Sequence, residues 1–178
     1  MRRAAGALLL FLAPSVATTA DAQFSRPRFD QLQVRAVATP LTPRAGAAVS
    51  VAVTLDYPKG LHSWPNKPDK VPELGGFRAF PTSVLVRAPA GISVGAVKWP
   101  PPEPMIVRYT GKPLQLLAYA GRVILQVPLQ LSPSIREGDT EVEIVVSYQA
   151  CDKEICYAPR DETRRVSFRV LPAIQSEP

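Results

Sequence analysis

The chain has 178 residues, including 20 prolines, 10 glycines and two cysteines, and its formal net charge at pH 7 is +6. Its basic residues are scattered along the sequence, without the clustered stripe and interleaved aromatic side chains that nucleic-acid binding requires, so that class of partner is excluded. After the N-terminal segment, no apolar run approaches the about 20 residues that a membrane-spanning helix needs.

The N-terminal segment is predicted to be a secretory signal peptide. Arg2 and Arg3 precede an apolar stretch that runs to about residue 16, and the tripeptide Ala-Asp-Ala that ends at Ala22 supplies small residues at positions −3 and −1. The apolar stretch is too short to span a bilayer comfortably. The mature chain is therefore expected to be exported, and residues 1–22 are left out of the fold.

The rest of the chain alternates between apolar and polar residues with a period of two, while proline and glycine interrupt every helical period before three turns. This pattern is typical of strands with one buried face. Strands are predicted over residues 32–38, 49–55, 83–87, 92–99, 114–119, 123–131, 141–148 and 165–171. Eight short strands between turn signals predict an all-β, two-sheet sandwich. Residues 23–172 are expected to form a single domain, followed by a frayed tail over 173–178.

Two segments lack the strand period and are predicted to be long, stiff loops. They cover residues 57–80 and 99–112, and both are rich in proline, which fixes φ and favours extended conformations. Long ordered loops on a sandwich often carry binding surfaces. The alternative is that they cover one end of the core, with Trp64 and Trp99 as buried anchors.

The two cysteines, Cys151 and Cys156, are separated by four residues that are predicted to form a hairpin-like turn. In an oxidising compartment two cysteines this close normally bond. A structural staple is one interpretation, but the chain-entropy model gives a six-residue loop only about 2 kcal/mol, against about 4.7 for a loop of 100 residues. An accessible pair used for thiol-disulfide exchange is the other interpretation, and these observations favour neither.

A metal site is a third interpretation, because the Cys-x4-Cys spacing lies within the range seen for zinc. The chain offers few further ligands, since His62 is its single histidine. A blue-copper site with two histidines is excluded, and no cofactor is expected. His62 lies between Leu61 and Ser63 beside Trp64, and on these residues alone it is predicted to be a partly buried loop residue bonded to backbone.

The segment from Tyr148 to Pro159, with its Tyr-Gln-Ala-Cys, its short polar insert and its Cys followed by Tyr-Ala-Pro, resembles the N-terminal periplasmic domain of the DsbD family of thiol:disulfide interchange proteins. Weaker likeness is found in the run from Gly60 to Trp64 and in Lys98-Trp99-Pro100. The resemblance covers about residues 47–171. It implies an immunoglobulin-like two-sheet antiparallel sandwich with long Pro-rich loops, located in the periplasm.

The resemblance also implies roles for particular residues. Cys156 would form the intermolecular disulfide with a partner, and Cys151 would resolve it. A cap loop that moves aside when a partner docks would lie in the Pro-rich segment. The residues assigned to the cap and to docking are Glu103, Pro104, Met105, Tyr109, His62, Trp64 and Tyr157.

The partners that the resemblance implies are thioredoxin-like proteins with a CxxC motif and a DsbD-type membrane reductase, and the domain itself is expected to be a monomer. Family members typically continue into membrane spans and a second thioredoxin-like domain, so the electron donor is expected to be a separate protein. Such a domain would be an electron carrier of the protein-disulfide reductase type. The competing hypothesis is an exported, immunoglobulin-like binding module whose disulfide is inert.

Overall fold

The computed structural model describes residues 32–174, and the predicted signal peptide lies outside the described residues. Within that range the chain forms β-strands and one short 3-10 helix, over Pro72–Leu74. The strands are β1 (Gln33–Thr39), β2 (Ala48–Asp56), β3 (His62–Ser63), β4 (Ser83–Arg87), β5 (Ile92–Val94), β6 (Glu103–Val107), β7 (Leu114–Ala120), β8 (Arg122–Leu131), β9 (Gly138–Tyr148), β10 (Ala150–Cys151) and β11 (Arg160–Val170). Among the described residues, no helix has the length and apolar character needed to cross a bilayer.

The strands form three antiparallel sheets, with the orders β1-β2-β8-β5, β11-β9-β4 and β10-β3-β7-β6. The first two sheets enclose the main core between them, and the predicted all-β, immunoglobulin-like sandwich is confirmed. Three strands of the third sheet are next to sandwich strands in the chain order. β3 follows β2, β7 precedes β8 and β10 follows β9. The cysteine segment belongs to this third sheet.

The main core follows directly from the alternation in the sequence. In β2 the buried residues Val51, Val53 and Leu55 alternate with half-exposed polar or small ones, and they lie in register with Val127, Leu125 and Val123 of β8. Burying such side chains contributes about 1.5–3 kcal/mol each, which holds the two sheets together. These same strands lead into the third sheet, so the sandwich provides a firm base for it.

A second, smaller hydrophobic cluster lies against the third sheet. Its buried members are Trp64, Val107, Leu116, Ala118 and Cys151. Half-buried apolar side chains from the segment after Trp64 and from the ends of β6 and β7 complete it. One of the two sulfurs is therefore part of a packed apolar layer that is separate from the main core.

Two predicted strands differ most from the structure in their bounds. The strand expected at 92–99 ends at Val94, and the one expected at 165–171 begins at Arg160. The added residues of β11 are mostly charged, so they carry no apolar alternation, yet each has a register partner on β9. Backbone pairing with a neighbouring strand, which the sequence does not display, sets these ends.

The prediction that residues 99–112 form one long loop is wrong, because Glu103–Val107 is strand β6, paired with β7. A proline inside a strand argues for a loop, but it is tolerated on an edge strand, where its missing N–H is not needed. β6 lies at the edge of the third sheet, and Pro104 lies on it. The other predicted loop, 57–80, likewise contains the short strand β3.

Candidate functional site

Cys151 and Cys156 form a disulfide that closes a tight turn, as predicted, with Cα atoms 4.0 Å apart. The two residues are also an isolated antiparallel bridge, and the N–H of Asp152 donates to the carbonyl of Ile155 at 2.9 Å. A further bond ties the turn to the end of β6, because the N–H of Arg108 donates to the carbonyl of Lys153 at 2.6 Å. The turn therefore has a fixed position relative to the third sheet.

The two sulfur-bearing residues differ sharply in exposure. Cys151 is 0% exposed and lies in the second hydrophobic cluster, whereas Cys156 is half-exposed. Thiol-disulfide exchange requires that the attacking thiolate reach a sulfur, so access decides which of the two is attacked. In this arrangement only the Cys156 side of the disulfide is open to a partner.

The carboxylate of Asp152 organises the turn between the cysteines. One oxygen accepts the N–H groups of Glu154 and Ile155 at 2.8 and 2.9 Å, and the other accepts the hydroxyl of Tyr157 at 2.6 Å. Burial opposes ionisation of the group, but these hydrogen bonds outweigh it, so the pKa of Asp152 is lowered from its usual value. The charged carboxylate is therefore the form that fits the folded turn.

Replacing Asp152 with alanine is expected to destabilise the domain by about 1 kcal/mol at pH 7, since hydrogen bonds to a partly exposed charge are weakened by solvent. Because the folded pKa lies below the unfolded one, the stabilisation is complete above the unfolded value of 3.8 and is lost as the pH falls through the lower folded value. Urea unfolding at several pH values measures this. The matched control is Asp152→Asn, which keeps an acceptor for the backbone N–H groups without the charge. A wild-type advantage over Asp152→Asn that persists unchanged at pH 2 would contradict the assignment.

His62 is buried and lies beside the disulfide, on strand β3, where its register partner is Cys151. Its Nε2 shares a hydrogen bond of 2.7 Å with the hydroxyl of Tyr109, and the two rings are stacked with centroids 6.3 Å apart. Burial lowers the pKa of His62 to about 4, against an opposing effect of Asp152, so the imidazole is neutral near pH 7. The prediction of a partly buried loop residue bonded to backbone is wrong, because pairing of β3 with β7 and β10 buries it.

An open groove of about 400 Å³ is lined in part by Cys156, the half-buried member of the pair. It is lined by Leu74, Phe77, Tyr109, Thr110, Gln149, Glu154, Ile155 and Cys156. Ile155 and Phe77 are 54% and 49% exposed, so the rim of the groove is apolar and accessible. Such a rim around a sulfur is suited to docking another protein close to the disulfide.

The residues assigned to the cap do not all reach the groove. Tyr109 lines it, whereas Met105 packs in the second hydrophobic cluster. Glu103 and Pro104 lie on strand β6, in register with β7, so the expectation that they belong to a loop is wrong, while their role as part of a cap stays a prediction. Of this segment, only the residues after β6 are placed where they contact the groove.

Trp64 and Tyr157, which were also assigned to docking, do not line the groove. Trp64 is buried in the second cluster together with Cys151, and its ring is tilted against that of Tyr109 at 6.4 Å. The hydroxyl of Tyr157 bonds to Asp152, and its N–H donates to the carbonyl of Ala150 at 2.9 Å. Both residues therefore stabilise the turn, Trp64 by packing with Cys151 and Tyr157 by its hydrogen bond to Asp152. The second tryptophan, Trp99, is half-buried and stacks on Tyr119 away from this cluster.

Phe77 and Leu74 were not anticipated from the sequence, although both line the groove. Phe77 packs against Trp64 with ring centroids 6.0 Å apart, and it follows two glycines in left-handed conformations, Gly75 and Gly76. These φ values reverse the chain after the 3-10 helix and bring Phe77 back to the groove. The Gly-Gly pair before an aromatic residue is the sequence signal that indicates a turn at this point. It does not indicate that this turn lies close to the cysteines.

A buried polar chain supports β3 from its other face. The hydroxyl of Ser63 is 2.6 Å from that of Tyr57 and 2.8 Å from that of Thr82, and the Thr82 hydroxyl donates to the carbonyl of Trp64 at 2.6 Å. Each of these hydroxyl groups is therefore satisfied, as buried polar groups must be. The chain fixes the backbone on which His62 and Trp64 are carried.

Within residues 32–174, no group of three or more His, Cys, Asp or Glu side chains is placed to hold a metal ion. The interpretation of the cysteine pair as a metal site therefore has no ligand cluster to support it in this part of the chain. Both cysteines are committed to the disulfide.

The family model for the thiol:disulfide interchange protein DsbD, N-terminal, matches residues 29–167. No curated protein matches the chain. The crystal structure of the N-terminal periplasmic domain of ScsB from Proteus mirabilis is similar in fold, with a TM-score of 0.51 and 18% identity, over 79% of this chain and 48% of that chain. The chain thus spans about half the length of that structure.

Two further structures match more distantly. A family 123 glycoside hydrolase from Clostridium perfringens has a TM-score of 0.40 and 9% identity, over 76% of this chain and 23% of that chain. A type I cohesin from Pseudobacteroides cellulosolvens has a TM-score of 0.41 and 9% identity, over 81% of this chain and 96% of that chain. Similarity at this level carries no argument about function.

Proposed function

We propose a function that starts from a finding: the chain belongs to the family of DsbD N-terminal domains. In this function the chain carries reducing equivalents from a membrane or thioredoxin-like donor to exported acceptor proteins in the periplasm. Cys151 and Cys156 are the proposed carriers. The observation that supports this most directly is the unequal exposure of the pair, with Cys156 open to the groove and Cys151 buried. A purely structural disulfide does not need cysteines of unequal exposure. Exchange with a partner is favoured by it, because only one of the two sulfurs is then attacked.

The proposed reaction proceeds by two exchanges in each direction. A thiolate of the donor attacks the Cys156 sulfur, the bond to Cys151 breaks, and the released Cys151 sulfur takes up a proton. The second thiolate of the donor then attacks the donor's own sulfur in the mixed disulfide and releases Cys156 as a thiolate, so the donor leaves as a disulfide and the domain holds the Cys151 thiol and the Cys156 thiolate. The same steps with an acceptor disulfide, in which Cys156 attacks and Cys151 resolves, return the domain to its oxidised form.

The groove provides the proposed docking surface for a CxxC partner. The exposed apolar side chains of Phe77 and Ile155 line the same groove as Cys156. We restrict the proposed cap to Tyr109 and Thr110, because the preceding strand is held by its ladder with β7. Movement of this short segment would widen access to Cys156 without unfolding the sheet.

Measurement of the reduction potential tests the proposal. Equilibration with glutathione or dithiothreitol redox couples is expected to give a value between about −120 and −270 mV, the range of thioredoxin-like partners. A value below about −300 mV would identify an inert structural disulfide and would favour the binding-module hypothesis. Equilibration of the reduced and oxidised forms is read from alkylation of free thiols, with the double variant Cys151→Ser/Cys156→Ser as the blank.

A further inference from the structure

The imidazole of His62 has one nitrogen bonded and one without a partner. Its side chain is only 2% exposed, and Nε2 is engaged with Tyr109. Within residues 32–174, Nδ1 is buried and has no hydrogen-bond partner. An unpaired buried polar atom costs about 1–3 kcal/mol, so a group left in this state calls for an explanation.

The unpaired nitrogen belongs to the residue directly opposite Cys151. His62 on β3 and Cys151 on β10 are register partners in an antiparallel ladder. Side chains of directly opposed residues lie on the same face of a sheet, with Cβ atoms about 4.5–5.5 Å apart. The buried sulfur and the buried imidazole are therefore neighbours on the face that carries the second hydrophobic cluster.

Opening the disulfide changes what Cys151 requires from its surroundings. In the disulfide its sulfur carries no proton, but after reduction the residue holds an S–H or a thiolate inside an apolar cluster of Trp64, Val107, Leu116 and Ala118. A buried thiolate without a partner is strongly disfavoured. The carbonyl oxygen of Gln149, 3.9 Å from this sulfur, can accept the S–H of a thiol but offers nothing to a thiolate. A thiolate at Cys151 therefore needs a hydrogen-bond donor that this carbonyl does not supply.

We propose that Nδ1 of His62 becomes the hydrogen-bond partner of the Cys151 sulfur when the disulfide opens, and thereby stabilises the reduced form. This inference rests on the proposed function, which requires the bond to open. Both tautomers serve. If the hydroxyl of Tyr109 donates to Nε2, the Nδ1–H donates to the sulfur; if Nε2–H donates to Tyr109, Nδ1 accepts the S–H. The proton gained by Cys151 comes from solvent or from the donor dithiol, and His62 is unchanged by the cycle.

Other groups near His62 fit the role less well. The indole Nε1 of Trp64 is also buried without a partner among the described residues, but Trp64 lies two residues further along the chain and its N–H can only donate. Asp152 carries a charge that repels a thiolate, and its oxygens already accept three hydrogen bonds. The other register partner of His62, Ala120 on β7, is apolar. His62 alone combines the opposed position with a nitrogen that donates or accepts.

The test compares His62→Phe with His62→Gln, which restores a polar group of similar reach. The equilibrium constant for reduction by dithiothreitol is expected to fall about tenfold in His62→Phe, equivalent to about 30 mV, and to recover in His62→Gln. Trp99→Phe, at the half-buried tryptophan that stacks on Tyr119 outside the second hydrophobic cluster, is the matched control and is expected to leave this constant unchanged. An unchanged constant in His62→Phe, or an equal fall in Trp99→Phe, overturns the proposal.

A spectroscopic readout separates this proposal from the proposed function. A phosphine reductant opens the disulfide whatever its potential, and the nitrogen-15 shift of Nδ1 in the wild-type domain is expected to move on reduction. The shift of Nδ1 in Cys151→Ala/Cys156→Ala, which has neither a cysteine sulfur nor a hydroxyl group at these positions, is the reference. If Nδ1 does not respond to reduction, the proposal fails even where the potential lies in the exchanging range. If it responds while the potential is below about −300 mV, only the proposed function fails.

Discussion

Cys151→Ser is expected to form a mixed disulfide with a thioredoxin-type partner through Cys156 at least about tenfold faster than Cys156→Ser does through Cys151, because exchange requires access to the sulfur. In the first variant the remaining thiol lies in the open groove. In the second it lies in an apolar cluster and is 0% exposed. Burial also raises the pKa of a thiol, so the fraction of reactive thiolate falls together with the access.

The measurement uses a partner with one cysteine of its CxxC motif replaced by serine and the other activated as a thionitrobenzoate disulfide. Release of the chromophore gives the rate, and a gel without reductant shows the covalent complex. Ellman's reagent is the small-molecule control, since it separates solvent access from docking. Equal trapping by the two variants would show that Cys156 is not the residue that meets the partner.

Trp64→Ala is expected to lower the free energy of unfolding by about 3–5 kcal/mol, the usual cost of removing a large buried aromatic side chain. Trp64 is 3% exposed and packs in the second hydrophobic cluster together with Cys151. Its ring also contacts the rings of Phe77 and Tyr109, which line the groove. Its loss is therefore expected to loosen both the turn and the docking rim.

Two measurements check this expectation. Urea unfolding gives the free energy, and the rate of disulfide reduction by dithiothreitol under native conditions reports on local opening around Cys151, which is expected to increase. The control is Trp64→Phe, which keeps most of the packing and loses no hydrogen bond, because Nε1 of Trp64 has none within residues 32–174. A loss below about 1 kcal/mol in Trp64→Ala would show that the cluster is not an independent source of stability.

The strands that the sequence predicted well are those with a regular alternation of apolar residues. β2 and β8 were anticipated to within one residue at each end, since each alternation has a single register that buries its apolar face. β3 and β10 have two residues each, too few to show any period. β6 was hidden by Pro104, whose position on an edge strand is a property of the sheet order.

The cysteine pair could be identified from the sequence because its geometry is local. Four residues separate the two positions, and Asp152 at the start of the turn has the short acceptor side chain that such turns use. The burial of Cys151 was not visible in the same way. It results from pairing with β3, which ends at Ser63, 88 residues before Cys151 in the chain.

By itself, the sequence determined the all-β class and the disulfide across a short turn, because period and spacing act between near neighbours in the chain. Only the tertiary structure decided which sulfur faces the groove, that Phe77 and Tyr109 line it and that His62 stands opposite Cys151. These features depend on contacts between residues that are distant in sequence. Such contacts follow from how the sheets pack, and no local pattern records them.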